Sequence, residues 1–497
     1  MIDLKLKKIN DARKFLFVNL CLEVRVKGVN HGIAALVPLL RKKNYSVEIL
    51  NLNEKVSISD FIKKIEFSSP SILGFSFTSH QLKSFRYYSK ALKSYKNILI
   101  LAGGIHPTLD PEGTFRDSPI DGICIGEGER PLAELLERID NKRSILDIKG
   151  FQWRFGNKII FNYCADYVMD INSLPFPDYT LYDKKDVVRD YSVDRSLYYD
   201  KSQIRKFIEV MISRGCPYDC NYCCNQSLRK LYRNEKGYFR LPAIEWSINF
   251  LKNLREHFPE TEYIEFIDDL LLANKNWFLE WVKKYKKEIQ LPYRICARFE
   301  LIDEQILNGL KESGCSRLMF GLESGDEELR SKLLNRHCSN ETIIDKCRLI
   351  RKYGIPIMTL NIIGFPFEKR QQMLKTLDLN KKIKPEFGTC FFFRPYLGTK
   401  LYDVCEERGL LLDNVMYEVT SNYTRPLIKI EDISIKEAIN IQKRFAFYFY
   451  YRTFLYRCRE FLSKQQGIKK VLIIIVIGKL ILKGAKLYIV DYFGKKY

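Results

Sequence analysis

Apolar and polar positions along the first 140 residues alternate between two periods. Short apolar runs rich in β-branched and aromatic residues stand at Lys14–Leu20 (KFLFVNL), 46–50, Ile72–Ser76, 98–102 and 122–125. Each reads as a strand buried on both faces. The segments 32–43, 59–67, 81–95 and 130–140 between and after them carry apolar residues at helical spacing. Strand and helix in alternation predict a doubly wound parallel five-stranded sheet, assigned to residues 1–149. A second alternation begins at 207, with strands at 207–212, 263–267, 293–297, 317–320, 355–363 and 390–393 and helical segments between them. Six strand–helix units predict a partial (β/α)6 barrel over 207–410, with its active site at the carboxyl ends of the strands.

The two remaining regions have a different character. Residues 150–206 read as a connector: a hairpin turning at Gly156-Asn157, a crossing stiffened by Pro175 and Pro177, and a charged, Tyr-rich stretch from 183. Residues 411–497 read as a helical C-terminal region, aromatic over 434–461 and followed by the apolar run 471–477 with Lys479, Lys483 and Lys486. Seven apolar residues fall short of the ~20 that span a bilayer. The basic, apolar tail suits either peripheral contact with an anionic membrane surface or a helix that covers the cavity or a sheet.

Composition narrows the class. The chain has 497 residues, is 46% hydrophobic and carries a formal charge of +22, which describes a folded multidomain protein. The charge raises the question of nucleic acid, yet no recognition motif accompanies it, and much of it lies in the tail and on Lys-rich helical faces. No basic leader followed by an apolar run opens the sequence, which predicts a cytoplasmic location where fourteen cysteines stay reduced.

Three of those cysteines are spaced for chemistry. Cys216, Cys220 and Cys223 follow the first barrel strand as C-x3-C-x2-C, after the turn Ser213-Arg214-Gly215. Three thiolates on one short loop can hold three corners of a cubic iron–sulfur cluster and leave the fourth iron open for a substrate. A closed zinc site with Cys224 as fourth ligand, a redox pair of Cys220 and Cys223, and a disulfide framework are the competing readings. The other sharp motifs also fall at predicted strand ends: Ser76-Phe77-Thr78, Gly103-Gly104-Ile105-His106 and Gly126-Glu127 on the first sheet, and Asp268-Asp269 and Gly321-Leu322-Glu323-Ser324-Gly325 on the second.

A sheet carrying GGIHPT and IGEGE ahead of a C-x3-C-x2-C loop with Tyr222 before its third cysteine resembles the cobalamin-dependent radical S-adenosylmethionine (SAM) enzymes over about residues 14–403. The resemblance implies a [4Fe–4S] cluster on Cys216, Cys220 and Cys223, SAM on the open iron, and cleavage of SAM to a 5′-deoxyadenosyl radical. It implies that Tyr222 borders the adenine, and that Glu323 and Ser324, in the loop that opens with Gly321, take the amino group and ribose. Arg336 answers the SAM carboxylate or is a surface helix arginine. Asp268 lines the substrate or cofactor cavity. Cobalamin is expected among Ser76, Thr78, Gly103, Gly104, His106, Gly126 and Glu127, with His106 as a loop hydrogen-bonder. His31-Gly32 lacks the Asp and the spacing of the D-x-H-x-x-G motif, so no histidine of this chain is expected on the cobalt. The expected function is methylation of an unactivated carbon of a small-molecule or lipid-like substrate, with electrons from a flavodoxin- or ferredoxin-type donor. The alternatives are a non-methylating oxidative cyclase or rearrangement enzyme, and a membrane- or nucleic-acid-associated binding protein with a structural cluster.

Overall fold

A computed structural model describes residues 13–21, 28–95, 97–116, 118–190, 206–233, 235–412 and 425–463. Strands β1 (Lys14–Leu20), β2 (Ser46–Leu52), β3 (Ile72–Ser76), β4 (Leu99–Gly103) and β5 (Gly122–Cys124) are parallel, in the order β2-β1-β3-β4-β5. Alternate residues of β1 face opposite cores. Phe15 and Phe17 pack with Ile33, Val37 and Leu135, whereas Leu16 and Val18 pack with Phe61, Ile65 and Phe85. Burial on both faces is why these strands read as continuous apolar runs. The order reverses between β1 and β3, and a crevice forms outside the carboxyl ends at such a switch point.

The hairpin at Gly156-Asn157 joins this sheet instead of standing apart. Strands β6 (Phe151–Phe155) and β7 (Lys158–Ile160) add two antiparallel members beyond β5, so the sheet has seven strands, five of them parallel. Trp153 on β6 packs over Gly122 of β5, where an added Cβ would stand 2.6 Å from the indole.

The second sheet runs β8 (Arg189–Asp190), β9 (Lys206–Val210), β10 (Tyr263–Phe266), β11 (Tyr293–Ala297), β12 (Cys315–Glu323), β13 (Ile357–Ile363) and β14 (Phe387–Phe392) in sequence order. Strands β9 to β14 are parallel and each is followed by helix, giving the six-unit open barrel; β8 pairs antiparallel on the outer edge. The helix Ile435–Ser463 covers β14: Phe445 and Phe449 are buried, and Gln442 donates to the Cys390 carbonyl at 3.0 Å. No helix among the described residues is long and apolar enough to cross a membrane. The run 471–477, and with it the expected membrane contact, lies outside the described residues.

Candidate active site between the two sheets

The cysteine loop is held at both ends. Asp268, following β10, accepts hydrogen bonds on Oδ1 from Ile212 N (2.9 Å), Ser213 Oγ (2.5 Å) and Ser213 N. It is buried, and burial pushes its carboxyl up to about 6 against those donors. Asp268 therefore fixes the turn that launches the loop, and its neighbour Asp269 is the member of the pair that lines the cavity described below. Gly215 has φ +77° and backs onto Tyr238, where a Cβ would stand 2.7 Å from the ring, so glycine is required there. At the far end Asn221 Nδ2 donates to the Leu333 carbonyl and Asn335 Nδ2 to that of Asp219, both at 2.8 Å. Cys223 then precedes the helix Cys224–Lys230.

Beside the loop, Tyr222 donates its hydroxyl to Glu323 Oε1 at 2.9 Å. Arg336 Nη1 donates to Tyr222 Oη at 3.2 Å, and its Nη2 to the Gly321 carbonyl at 2.7 Å. Arg336 is thus a half-buried member of the site, outside any regular helix. Glu323 ends β12 with φ +61°, a left-handed backbone that costs a non-glycine residue of order 1 kcal/mol and concentrates at functional sites. Burial raises its carboxyl above the usual range, opposed by Arg336 and the Tyr222 hydroxyl. A carboxylate so placed is a natural acceptor for an ammonium group. Ser324 is placed differently: its hydroxyl accepts from Asp326 N at 3.2 Å and lies 3.5 Å from Thr376 Oγ1, against the helix Arg370–Ile383 that follows β13.

The three thiols fit a polynuclear iron–sulfur group. Cys220 Sγ receives Arg298 Nη1 at 3.6 Å and Arg336 Nη1 at 3.9 Å, cationic donors suited to a thiolate ligand. Burial pushes the Cys216 thiol up to about 12, so its ionisation falls to a bound metal. Among the described residues no three His, Cys, Asp or Glu side chains converge as ligands of a single ion. All fourteen cysteines are free, which removes the disulfide framework.

A cavity of about 420 Å³ separates the two sheets. Ser76, Gly103, Gly104, Gly126 and Glu127 line it from the first sheet, and residues 211–215, Cys224 and Asp269 from the barrel. Apolar side chains such as Phe15, Leu101 and Leu132 carry it down beside β1 and β4, and glycine at 103 and 104 keeps the rim low, with φ +95° at Gly104. A large ligand with one apolar arm fits such a slot. Thr78 and His106 are engaged within the first domain. Thr78 bonds to Gln81 through both its backbone N–H and its hydroxyl, and His106 lies on the short helix Ile105–Leu109 with Nδ1 3.0 Å from Ser79 Oγ. His31 Nδ1 is 2.8 Å from Tyr179 Oη, and burial lowers its imidazole to about 4.

Sequence reasoning missed the ion-pair network across the cavity wall. Glu127 carries two guanidiniums, Arg214 at 3.2 Å and Arg240 in closer contact, while Arg214 also reaches Glu129 at 2.5 Å. The arginines pair in turn through backbone bonds at 2.9 and 3.0 Å. Burial alone would raise the Glu127 carboxyl, but Arg240 and Arg214 hold it below the usual range. Glu127 is therefore a tie between domains. Arg214, two residues before the cysteine motif, was the available signal, since a charge beside a buried strand needs a partner.

Comparison with known proteins agrees with this geometry. The Radical SAM superfamily model matches residues 210–379 and the B12 binding domain model residues 19–136, together more than half of the chain. The chain is 26% identical over 424 residues to an uncharacterized methyltransferase of Pyrococcus horikoshii, covering 85% of this chain and 87% of that one. It is 24% identical over 327 residues to the anaerobic magnesium-protoporphyrin IX monomethyl ester cyclase of a Synechocystis species, covering 65% of this chain and 61% of that one. The solved structure of the cobalamin-dependent SAM radical enzyme OxsB, with aqua-cobalamin and SAM bound, shares the fold at a TM-score of 0.68 and 17% identity, covering 95% of this chain and 72% of that one.

Proposed function

The chain belongs to the radical SAM enzymes that carry a B12-binding domain, and from that premise we propose that it transfers a methyl group to a carbon of a small-molecule substrate. Its cofactors are a [4Fe–4S] cluster, SAM and cobalamin. When bound, the cluster supplies the electron that cleaves SAM, and cobalamin supplies methyl-transfer chemistry.

One observation carries the proposal: the glycine loops of the first sheet and the residues on either side of the cysteine motif, 211–215 and Cys224, are walls of a single cavity. In this reading Cys216, Cys220 and Cys223 hold the cluster, and Glu323, Tyr222 and Arg336 position the charged end of SAM. Gly103, Gly104 and Gly126 leave room for the corrinoid. Enclosure between two sheets excludes water from a reactive intermediate. A flavodoxin- or ferredoxin-type protein is the donor class such a cluster requires.

The similarity to a cyclase favours a second reading, oxidative ring formation without methyl transfer. One incubation separates the two. Reconstituted protein with reductant, SAM, methylcobalamin and candidate substrates is expected to give 5′-deoxyadenosine together with a product heavier by a methyl group. Deoxyadenosine with a dehydrogenated or cyclised product of unchanged carbon count overturns methyl transfer in favour of the second reading.

A further inference from the structure

Arg298, in the loop after β11, is buried and reaches three different groups. Its Nε and Nη2 contact Glu300 Oε1 at 2.6 and 2.5 Å, its guanidinium carbon lies 3.7 Å from the centre of the Tyr218 ring, and Nη1 points to Cys220 Sγ at 3.6 Å. Carboxylate and ring fix two sides of the planar fork, leaving one edge for the sulfur. Arg336 approaches the same sulfur at 3.9 Å but is shared with Tyr222 and the Gly321 carbonyl. Arg298 makes no hydrogen bond to Tyr222 or Glu323, although its charge is close enough to oppose the rise of the Glu323 carboxyl.

We propose that Arg298 sets the reduction potential of the cluster through its donor to the Cys220 sulfur, with Glu300 as the opposing charge. Hydrogen bonds and positive charge at a cluster thiolate stabilise the reduced, more negative state and raise the potential. Glu300 holds part of that charge away from the sulfur. Replacing either residue therefore moves the potential, in opposite directions. The proposal rests on the three cysteines holding the cluster and is independent of whether methyl transfer or cyclisation follows.

The test is an EPR-monitored redox titration of anaerobically reconstituted protein without SAM, so that changes in the SAM pocket do not enter. Arg298→Gln is expected to make reduction harder by about tenfold in the equilibrium, ~59 mV for one electron. Glu300→Gln is expected to shift the potential the other way. Equal potentials in wild type and both variants, or shifts of the same sign in both, overturn the proposal, because a merely structural pair predicts one or the other. If Arg298→Gln loses the cluster, Glu300→Gln decides alone: a positive shift supports the proposal and an unmoved or negative one overturns it. Failure of the wild-type chain to bind iron would instead contradict the cluster assignment itself.

Discussion

Arg214 Nη2 lies 2.5 Å from Glu129 Oε1, which ties the residue two before Cys216 to the loop that ends the last parallel strand of the first sheet. The same guanidinium is 3.2 Å from Glu127, which also pairs with Arg240. Two carboxylates and two guanidiniums, of which Glu129 and Arg240 are buried and Glu127 and Arg214 half-buried, thus fix the distance between the cobalamin side and the cluster side of the cavity.

Glu127→Ala leaves Arg240 without its carboxylate and Arg214 with Glu129 alone. Breaking a buried pair costs ~3 kcal/mol, expected as a lower urea midpoint at unchanged slope, with weaker retention of cobalamin. The carboxyl is held below its ordinary value in the folded chain, so its contribution is present above pH 4.5 and fades as pH falls through the depressed value. A variant with the wild-type midpoint at pH 7 would show that the network does not hold the domains.

Glu368 gives the opposite pH dependence. Its Oε2 accepts from Phe365 N at 3.1 Å and from Gly364 N at 2.5 Å, while Oε1 is buried without a hydrogen-bond partner. Burial raises the carboxyl to about 8. Between its unfolded value of 4.5 and about 8 the folded chain keeps a proton that the unfolded chain releases, so stability falls as pH rises across that window. Glu368→Gln mimics the protonated acid. Its melting temperature should be less sensitive to pH between 5 and 8 than that of wild type; equal slopes would contradict the assignment.

The C-terminal helix is tested at Gly388, where an added Cβ would fall 2.2 Å from the Phe449 ring. Gly388→Ala is expected to cost roughly 1–3 kcal/mol through overpacking. Phe449→Leu should recover part of that loss in the double variant, and an additive double-mutant cycle would place the helix elsewhere.

Glu323→Gln keeps the shape of the side chain and removes the charge. A hydrogen bond to a charged group is worth ~1.5–3 kcal/mol, so SAM affinity measured by equilibrium dialysis should fall ~10- to 100-fold with iron content unchanged. Undiminished affinity would remove Glu323 from the SAM site.

Both sheets were legible because parallel strands covered by helices write themselves as apolar runs at regular intervals. The errors lie where local propensity and tertiary structure disagree. Gly321 suggested that β12 stops at Phe320, yet the strand continues through a register shift to Glu323. Gly388 hid the start of β14 because its reason for being glycine is Phe449, 61 positions on. The cysteines and Glu323 were visible as motifs at strand ends. Asp268 was visible at a strand end, but an acidic pair does not reveal that this carboxylate is the one bonded to the turn at Ile212 and Ser213. Arg240 and Arg298 carry no motif, and only the fold brings them to Glu127 and Cys220.

The central claim is that cluster and cobalamin meet in one cavity, and EPR of protein loaded with both tests it most directly. The cob(II)alamin signal is recorded with the cluster oxidised and diamagnetic, then reduced and paramagnetic. A shared cavity predicts that reduction of the cluster broadens the cobalt signal and shortens its spin relaxation. A cob(II)alamin spectrum and relaxation time identical in both states would contradict the account.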